Sequence, residues 1–393
     1  MSSLADAVTV QERSQTGHRS IPRDGQMHVM ILGTRGIPAQ HGGFETFAED
    51  LSLYLAARGH RVTVYCQTES GIPSGVDTWK GIRRVLIAAP NGAIGTIIYD
   101  WASTLHASRE KGIALTLGYN TAVFTLAYRF RRIPSVMNMD GIEWKRQKWS
   151  LPQKAWLWLN ERAGAHFADH LVADHPRIAA HLYAHTAASK ITVIPYGADA
   201  VLDAPAAPLQ PYALRSKGYY LVIARPEPEN SILEIVRAFD SDRVRTPLLV
   251  LGNYDPERNP YHRLVKQAAR RNVIFAGAIY DRATVQALRF HARAYIHGHR
   301  VGGTNPSLVE SLAAGKAILA HDNPFNRWVA GPDAVYFRGA PDLEQAIVSL
   351  EGSPHRLAGM EQASRERHSQ EFTKEKILSA YEELLLRISA TEK

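Results

Sequence analysis

Residues His297 to Asp322, HGHRVGGTNPSLVESLAAGKAILAHD, carry the pattern on which the fold turns. A strand end runs into the Gly302–Gly303 turn, a short helix follows, and the apolar run from Lys316 begins a second strand. Asn305 is a good N-cap. Pro306 suits the first helical position, where no N–H is needed, and Gly315 can end the helix. Two adjacent glycines let the backbone come close to a ligand. A helix N-terminus behind such a turn presents free N–H groups and the positive end of its dipole, which favours an anion. Glu310, on the same helix, is placed to meet a hydroxylated ligand. A ligand bearing phosphate and sugar is one reading, and an ordinary strand–loop–helix connection is the other.

The same alternation extends in both directions. Apolar runs at 28–34, 61–67, 83–89, 112–119, 135–140, 170–175 and 190–197 read as strands, with helical patterns such as Glu45–Arg58 and Leu151–Phe167 between them. After an Ala/Pro-rich break, DAVLDAPAAPLQ at 199–210, strand runs resume at 219–225, 246–254, 272–279, 292–299, 316–322 and 334–337. Strands alternating with helices imply parallel sheets covered on both faces. The expected architecture is α/β: two Rossmann-like, doubly wound domains facing a central cleft, with C-terminal helices. The expected boundaries are a flexible tail over 1–25, a first domain over 26–200, a linker over 201–216, a second domain over 217–370, and a closing helix over 371–393 that packs back on the first domain. Ligands of such sheets bind beyond the carboxyl ends of the strands.

Composition narrows the function classes. The formal charge of +8 suits anionic partners, but no nucleic-acid motif is present, so nucleic acid is not an expected partner. Cys66 is the only cysteine, which excludes an internal disulfide and a cysteine metal cluster and fits a reducing cytoplasm. The first 25 residues lack the apolar core of a signal peptide, and no run reaches the ~18 apolar residues of a membrane span. Between Arg129 and Arg162 there are eight Lys/Arg against three Asp/Glu, with four tryptophans interleaved. That mixture suits the surface of an anionic bilayer, although a solvated face over core aromatics is the simpler reading. Of the histidines, His297 and His299 are read as pointing to opposite faces of a strand, which argues against a metal pair; no metal site is expected.

GTRGIPAQHGGFETF at 33–47 is not the dinucleotide fingerprint, because the glycine spacing is wrong. Gly42 and Gly43 could instead offer backbone N–H groups to a phosphate. Arg225 ends the first strand of the second half, where a guanidinium could clamp a diphosphate by paired hydrogen bonds; pairing with Glu227 or Glu229 is the alternative. Asp140, Glu143, Trp144 and Arg146 follow a strand end, and no helical periodicity accounts for them.

GGFET, ARPEPEN and GGTNPSLVESLAAG, in this order on two α/β domains, resemble the nucleotide-sugar glycosyltransferases of GT-B type in retaining family four. NMDGIEWKRQKW (138–149), IPYGAD (194–199), GNYDPERNPYHR (252–263) and HGHRVGGTNPSLVE (297–310) look most like a bacterial branch that includes rhamnosyltransferases of polysaccharide assembly. The resemblance runs from about Val29 to Phe337. It implies that Gly42 and Gly43 contact a donor diphosphate, that Arg225 clamps it, and that the backbone at Ala278 and Ile279 reads the nucleobase. Gly303, Thr304, Asn305 and Ser307 would lie under the phosphates and donor sugar, and Glu310 would bind the ribose. Catalytic roles fall on Arg225 and Asp140, acceptor binding on Glu45, Glu143, Trp144 and Arg146, and a further donor contact on Asn230.

Three departures from the family pattern stand out. Asn230 replaces the usual Lys five residues after the Arg, Gly302 replaces the first of two paired acids, and Asp140 replaces a donor-facing His. In the wider family that His approaches a sugar 6-hydroxyl, so Asp140 is compatible with a 6-deoxy sugar. The implied activity is retaining transfer of a sugar, with L-rhamnose from dTDP-rhamnose foremost, to a lipid-linked or growing glycan at the inner face of the cytoplasmic membrane. The nucleotide sugar is a co-substrate, and no cofactor or catalytic metal is implied. The alternatives are a hexosyltransferase using a UDP- or GDP-sugar, a sugar-nucleotide epimerase, or an inactive glycan-binding homologue.

Overall fold

Two sheets, both parallel except at one edge, organise the chain in a computed structural model that describes residues 25–39, 42–69, 71, 73–146 and 148–390. The tail expected over 1–25 therefore lies, except for Gly25, outside the described residues. The first sheet is built from His28–Leu32 (β1), Arg61–Thr68 (β2), Gly75–Trp79 (β3), Ile82–Ala88 (β4), Ile113–Leu117 (β5), Ser135–Asn138 (β6), His170–Ala173 (β7) and Ile191–Val193 (β8), in the order β3-β4-β2-β1-β5-β6-β7-β8. Val29, Met30 and Ile31 of β1 are fully buried, because helices cover both faces of a parallel sheet.

Sequence reading missed β3. It pairs antiparallel with β4 at the sheet edge, from Gly75 opposite Leu86 to Trp79 opposite Ile82. The two strands are joined through Lys80 and Gly81, both at positive φ, as a two-residue hairpin turn of this hand requires. An exposed edge strand has no continuous apolar run, and GVDTW carries none.

The second sheet uses Tyr220–Ile223 (β9), Leu248–Leu251 (β10), Val273–Gly277 (β11), Ala294–His297 (β12), Ala317–His321 (β13) and Val335–Phe337 (β14). Its order, β11-β10-β9-β12-β13-β14, reverses between β9 and β12. Side chains alternate across it: Tyr220, Val222, Leu248 and Val250 join one core, while Leu221, Leu249 and Leu251 join the other.

The chain divides into two units, residues 1–194 with 378–393, and residues 195–377. The segment expected to be a linker, 201–216, lies within the second unit and is strapped to it. Leu209 is 2% exposed in the core that holds Tyr219 and Leu288, Val201 donates its N–H to the Ala313 carbonyl at 3.0 Å, and the His291 ring lies 2.9 Å from the Ala204 carbonyl. Its Ala/Pro composition reflects a 3-10 turn, Ala207–Tyr212, rather than a free connector.

The helix Lys374–Ala390 supplies its later residues to the first unit. Tyr381 lies against Phe47, with ring centroids 4.7 Å apart, and its hydroxyl accepts from Asn138 Nδ2 at 2.7 Å. Glu382 receives Arg58 at 2.7 Å and His60 at 2.8 Å. Burial opposes its charge, but these two partners hold its carboxyl below the ordinary value. No described helix is long and apolar enough to cross a membrane.

Glu382→Ala should lower the stability of the first unit by about 1–3 kcal/mol, since it strands the buried His60 ring beside Arg58. Urea unfolding measures this, and a midpoint equal to that of the wild type would show that the cluster adds nothing.

Candidate active site

At the reversal point of the second sheet, the loops that follow β9 and β12 clasp each other. Ser231, at φ 51°, donates its hydroxyl to the Gly298 carbonyl at 2.8 Å and accepts from Arg300 Nε at 2.7 Å. The Arg300 N–H donates to the Glu229 carbonyl at 2.9 Å, and its guanidinium meets Glu234 at 2.5 Å. A Cβ on Gly298 would stand 2.1 Å from the Asn230 carbonyl, so this crossing needs glycine.

Asn230, expected among the donor contacts, is 2% exposed. Its Nδ2 donates to the Arg225 carbonyl at 2.7 Å. Its Nδ2 therefore holds the turn under Arg225, while its buried Oδ1 has no hydrogen-bond partner among the described residues. Arg225 itself is exposed, and among the described residues its guanidinium has neither of the expected partners, Glu227 or Glu229. It lines a cavity of about 450 Å³ together with Ala278 and Ile279, between the carboxyl ends of β9, β10 and β11. Three positions singled out from two separate stretches of sequence thus share one cavity wall.

The helix Pro306–Ala313 begins as expected, with Asn305 Oδ1 accepting from the Ser307 N–H at 3.0 Å. Leu308, Val309 and Leu312 bury its inner face. The expected ligand groups here are largely engaged. Thr304 is 4% exposed, so its side chain is covered, while Gly303 is partly exposed. Ser307 Oγ lies 2.9 Å from the Tyr295 hydroxyl, which is also 3.3 Å from the Ile223 carbonyl. Tyr295 therefore ties the start of this helix to the end of β9. Glu310, expected to bind a ribose, pairs with the buried Arg289 at 2.6 Å. Arg289 and Tyr295 carried no signal in the sequence that marked them as partners.

His297 and His299 do not point to opposite faces. Residues two apart share a face of a strand, and their rings stack at 5.6 Å with a 23° interplanar angle. Burial, with His299 and His321 beside it, holds His297 neutral.

In the first unit, the reversal falls between β1 and β5. A cavity of about 120 Å³ there is lined by Arg35, Glu45, Gln67, Asp100 and Thr121, among others. Burial pushes the Asp100 carboxyl up to about 6 against the opposing hydrogen bond from Thr121 at 2.8 Å. Sequence reading passed over Asp100, a lone acid inside an apolar helical run. Gly42 precedes the helix Gly43–Ala57 in an extended conformation, and a Cβ on it would meet Glu45 Oε2 at 2.9 Å. Glu45 also accepts from the Arg35 N–H at 3.3 Å. The helix start at Gly42 and Gly43 thus already faces a carboxylate, which must swing aside before an anion binds there.

Asp140, Glu143, Trp144 and Arg146 come together behind β6. Asp140 sits at φ 49° with its N–H on Asn138 Oδ1 at 2.9 Å. Glu143 takes Arg146 at 2.6 Å and the Trp149 ring N–H at 3.2 Å, and its own N–H donates to the Tyr119 hydroxyl at 2.8 Å. Trp144 donates to Glu161 at 2.9 Å, and the other Glu161 oxygen lies 2.9 Å from His181. The Glu143 carboxylate and the Trp144 ring N–H are thus spent within the protein, and Arg146 is tied to Glu143 through Nη1. Glu161, His181 and His185 bring potential ligand atoms within 4.8 Å of one another, a cluster the sequence did not suggest, but both Glu161 oxygens are already engaged.

Burial, with the Glu143 charge beside it, pushes Asp140 up to about 6. Burial would raise Glu143 as well, but the Arg146 hydrogen bond and charge, with Lys148 and Trp149, hold it below the ordinary value. Two neighbouring carboxyls are thus driven apart, one ionised and one able to carry a proton near neutrality.

Against known proteins, the family model "Domain of unknown function (DUF1972)" matches residues 26–199. No curated protein matches the chain. Among solved structures, sucrose-phosphate synthase from Thermosynechococcus elongatus superposes with a TM-score of 0.77 at 17% identity, covering 93% of this chain and 100% of that one. HepE of Anabaena in complex with UDP gives 0.70 at 15%, covering 92% and 99%. The catalytic domain of starch synthase IV from Arabidopsis thaliana, bound to ADP and acarbose, gives 0.70 at 13%, covering 93% and 100%. The fold is GT-B. At these identities the likeness concerns the fold alone.

The raised carboxyls predict a pH dependence. From pH 3.8 to about 6 the folded protein keeps protons on Asp140 and Asp100 that the unfolded chain has released. Their contribution to stability is therefore full at the acid end and lost as pH rises through about 6. Asp140→Asn should flatten the fall in melting temperature across this window, and Asp100→Asn should flatten it further. Parallel profiles for wild type and both variants would contradict the assignment.

Proposed function

We propose that this protein is a glycosyltransferase that moves a sugar from a nucleoside diphosphate to a hydroxyl acceptor. One observation carries the reading: Arg225, exposed and without a carboxylate partner among the described residues, shares a cavity at the strand ends with Ala278 and Ile279, beside a helix start held by Tyr295. The cavity suits a nucleoside, and the guanidinium at its rim suits the attached diphosphate. In support, HepE was solved with UDP-glucose and starch synthase IV with ADP, on the same fold.

The proposed donor is dTDP-L-rhamnose, and the proposed acceptor is a lipid-linked or growing glycan at the inner face of the cytoplasmic membrane. Transfer proceeds with retention. In that course the leaving diphosphate takes the acceptor proton on the same sugar face, so the protein mainly positions the reactants and stabilises charge. Arg225 and the backbone at Gly303 would offset the negative charge of the departing diphosphate. Asp140, which stands where the family has a donor-facing His, is compatible with a 6-deoxy sugar in this reading. The chemistry asks for no metal.

A panel of dTDP-rhamnose, UDP-glucose and GDP-mannose, incubated with membrane extract and followed by nucleoside diphosphate release, tests the reading. Release should depend on acceptor and be fastest with dTDP-rhamnose. Conversion of a donor without acceptor would point to an epimerase instead. Preference for UDP-glucose would remove rhamnose but leave the transferase. Arg225→Ala should lower kcat/KM about a hundredfold, as expected for paired charged hydrogen bonds, at an unchanged melting temperature. Transfer at near wild-type rate by this variant would sink the clamp.

A further inference from the structure

The helix Ala93–Ala107 closes the wall of the first-unit cavity with one side and leaves a stripe of large apolar side chains on another. Gly95, Tyr99, Ser103, Thr104 and Ala107 are buried. Ile94, Ile97, Ile98 and Trp101 are 73%, 39%, 40% and 47% exposed. Their spacing of three, one and three residues puts them on one face. An amphipathic surface helix turns charged or polar groups to water on that side, and this one turns none. Its sole acid, Asp100, lines the cavity.

The apolar face continues beyond the helix. The Trp101 ring meets Phe124 at 5.1 Å. Phe124 belongs to the turn Ala122–Thr125, which packs against both this helix and the helix Leu151–Phe167. From the latter helix Trp156 reaches the Asn120 carbonyl at 2.8 Å while staying 38% exposed, and Leu159 is 49% exposed. The helix Leu126–Arg131 also packs on Ala93–Ala107 and ends in exposed Arg129, Phe130 and Arg131, with Arg132 next. Among the described residues, none of these three arginines pairs with a carboxylate. Of the three acids in the 129–162 segment, Glu143 is turned to Arg146, Glu161 to Trp144 and His181, and Asp140 is half-buried. The charge left outside is positive.

We propose that this face docks on an anionic bilayer, with Ile94, Ile97, Ile98 and Trp101 entering the headgroup region and Arg129, Arg131 and Arg132 meeting lipid phosphates. Charge decides the occupant. A second copy docked by the same face would set arginines against arginines, which like-charge repulsion disfavours, whereas an anionic surface complements both the apolar stripe and its basic flank. The helix that docks also lends Thr96 and Asp100 to the cavity. A lipid-borne acceptor would thus arrive at the side of the unit where that cavity opens. This last consequence rests on the transferase reading, but the docking does not.

Co-sedimentation of the full chain tests the docking, using vesicles of phosphatidylcholine alone and vesicles with an equal share of phosphatidylglycerol. The wild type should bind the anionic vesicles, weaken as salt rises, and bind the neutral ones far less. Ile94→Asp with Ile98→Asp should reduce anionic-vesicle binding by about tenfold or more, with an unchanged melting temperature, because both side chains are already in solvent. Arg129→Ser with Arg131→Ser and Arg132→Ser should erase the preference for anionic lipid, at roughly fivefold per charge. No sedimentation of the wild type with either vesicle, or equal sedimentation of the isoleucine variant, overturns the proposal. So does a wild-type dimer on gel filtration that the isoleucine variant dissolves. Transfer to a soluble acceptor by a chain that ignores vesicles would remove the docking alone. Vesicle binding by a chain that transfers nothing would remove the transferase reading alone.

Discussion

Gly298 crosses the backbone of Asn230 with no room for a side chain, and the second unit's site is built outward from that crossing. The strand order reverses here, so the chain leaves β9 on one side and β12 on the other. Two loops that would otherwise splay are pinned by Ser231 and Arg300. Asn230 then transmits the pin to the turn beneath Arg225. On the opposite flank, Tyr295 joins the end of β9 to the first turn of the helix Pro306–Ala313. The Arg225 guanidinium is exposed and has no carboxylate partner among the described residues, because its backbone, rather than its side chain, is anchored. That is an economical way to hold a charged group ready for an anion, since little ordering remains to be done on binding.

The parallel strands were legible because a strand covered on both faces reads as a short apolar run, and thirteen of the fourteen strands among the described residues fall on runs marked in the sequence. The exception, β3, lies at an edge with only one strand neighbour, and its Gly, Asp and Thr give no such run. The start of the helix after Asn305 was legible from local chemistry alone, since a cap and an N-terminal proline act over three residues. The Ala/Pro stretch before Tyr219 misled because composition reports backbone stiffness and not what covers the chain; burial of Leu209 decided its place.

Positions were easier to read than partners. Arg225, Ala278 and Ile279 were picked from motifs and meet in one cavity. The engagement of Glu310 by Arg289, 21 residues away, could not be read, because it depends on how two helices pack. The cluster behind β6 shows the same limit. Its charged and aromatic residues looked like a surface offered to a ligand, yet most of their donors and acceptors close on one another and on Tyr119 and Glu161. A satisfied polar network of this kind fixes a loop in one shape. What it leaves unbalanced is Asp140, whose left-handed backbone and raised carboxyl are the local departures from rest.

The late residues of the helix Lys374–Ala390 give the molecule a particular assembly order. Tyr381 and Leu385 are buried in the first unit, although the whole of residues 195–377 is synthesised before them. Domains generally fold as they emerge, the N-terminal one first. Here the first unit leaves the ribosome lacking the ring that covers Phe47 and the carboxylate that pairs with Arg58 and His60. It must wait, with that apolar groove open, until the second unit has been made. The helix Lys374–Ala390 is therefore a closing latch, and a message cut short before residue 378 would yield a first unit with an uncovered, aggregation-prone seam.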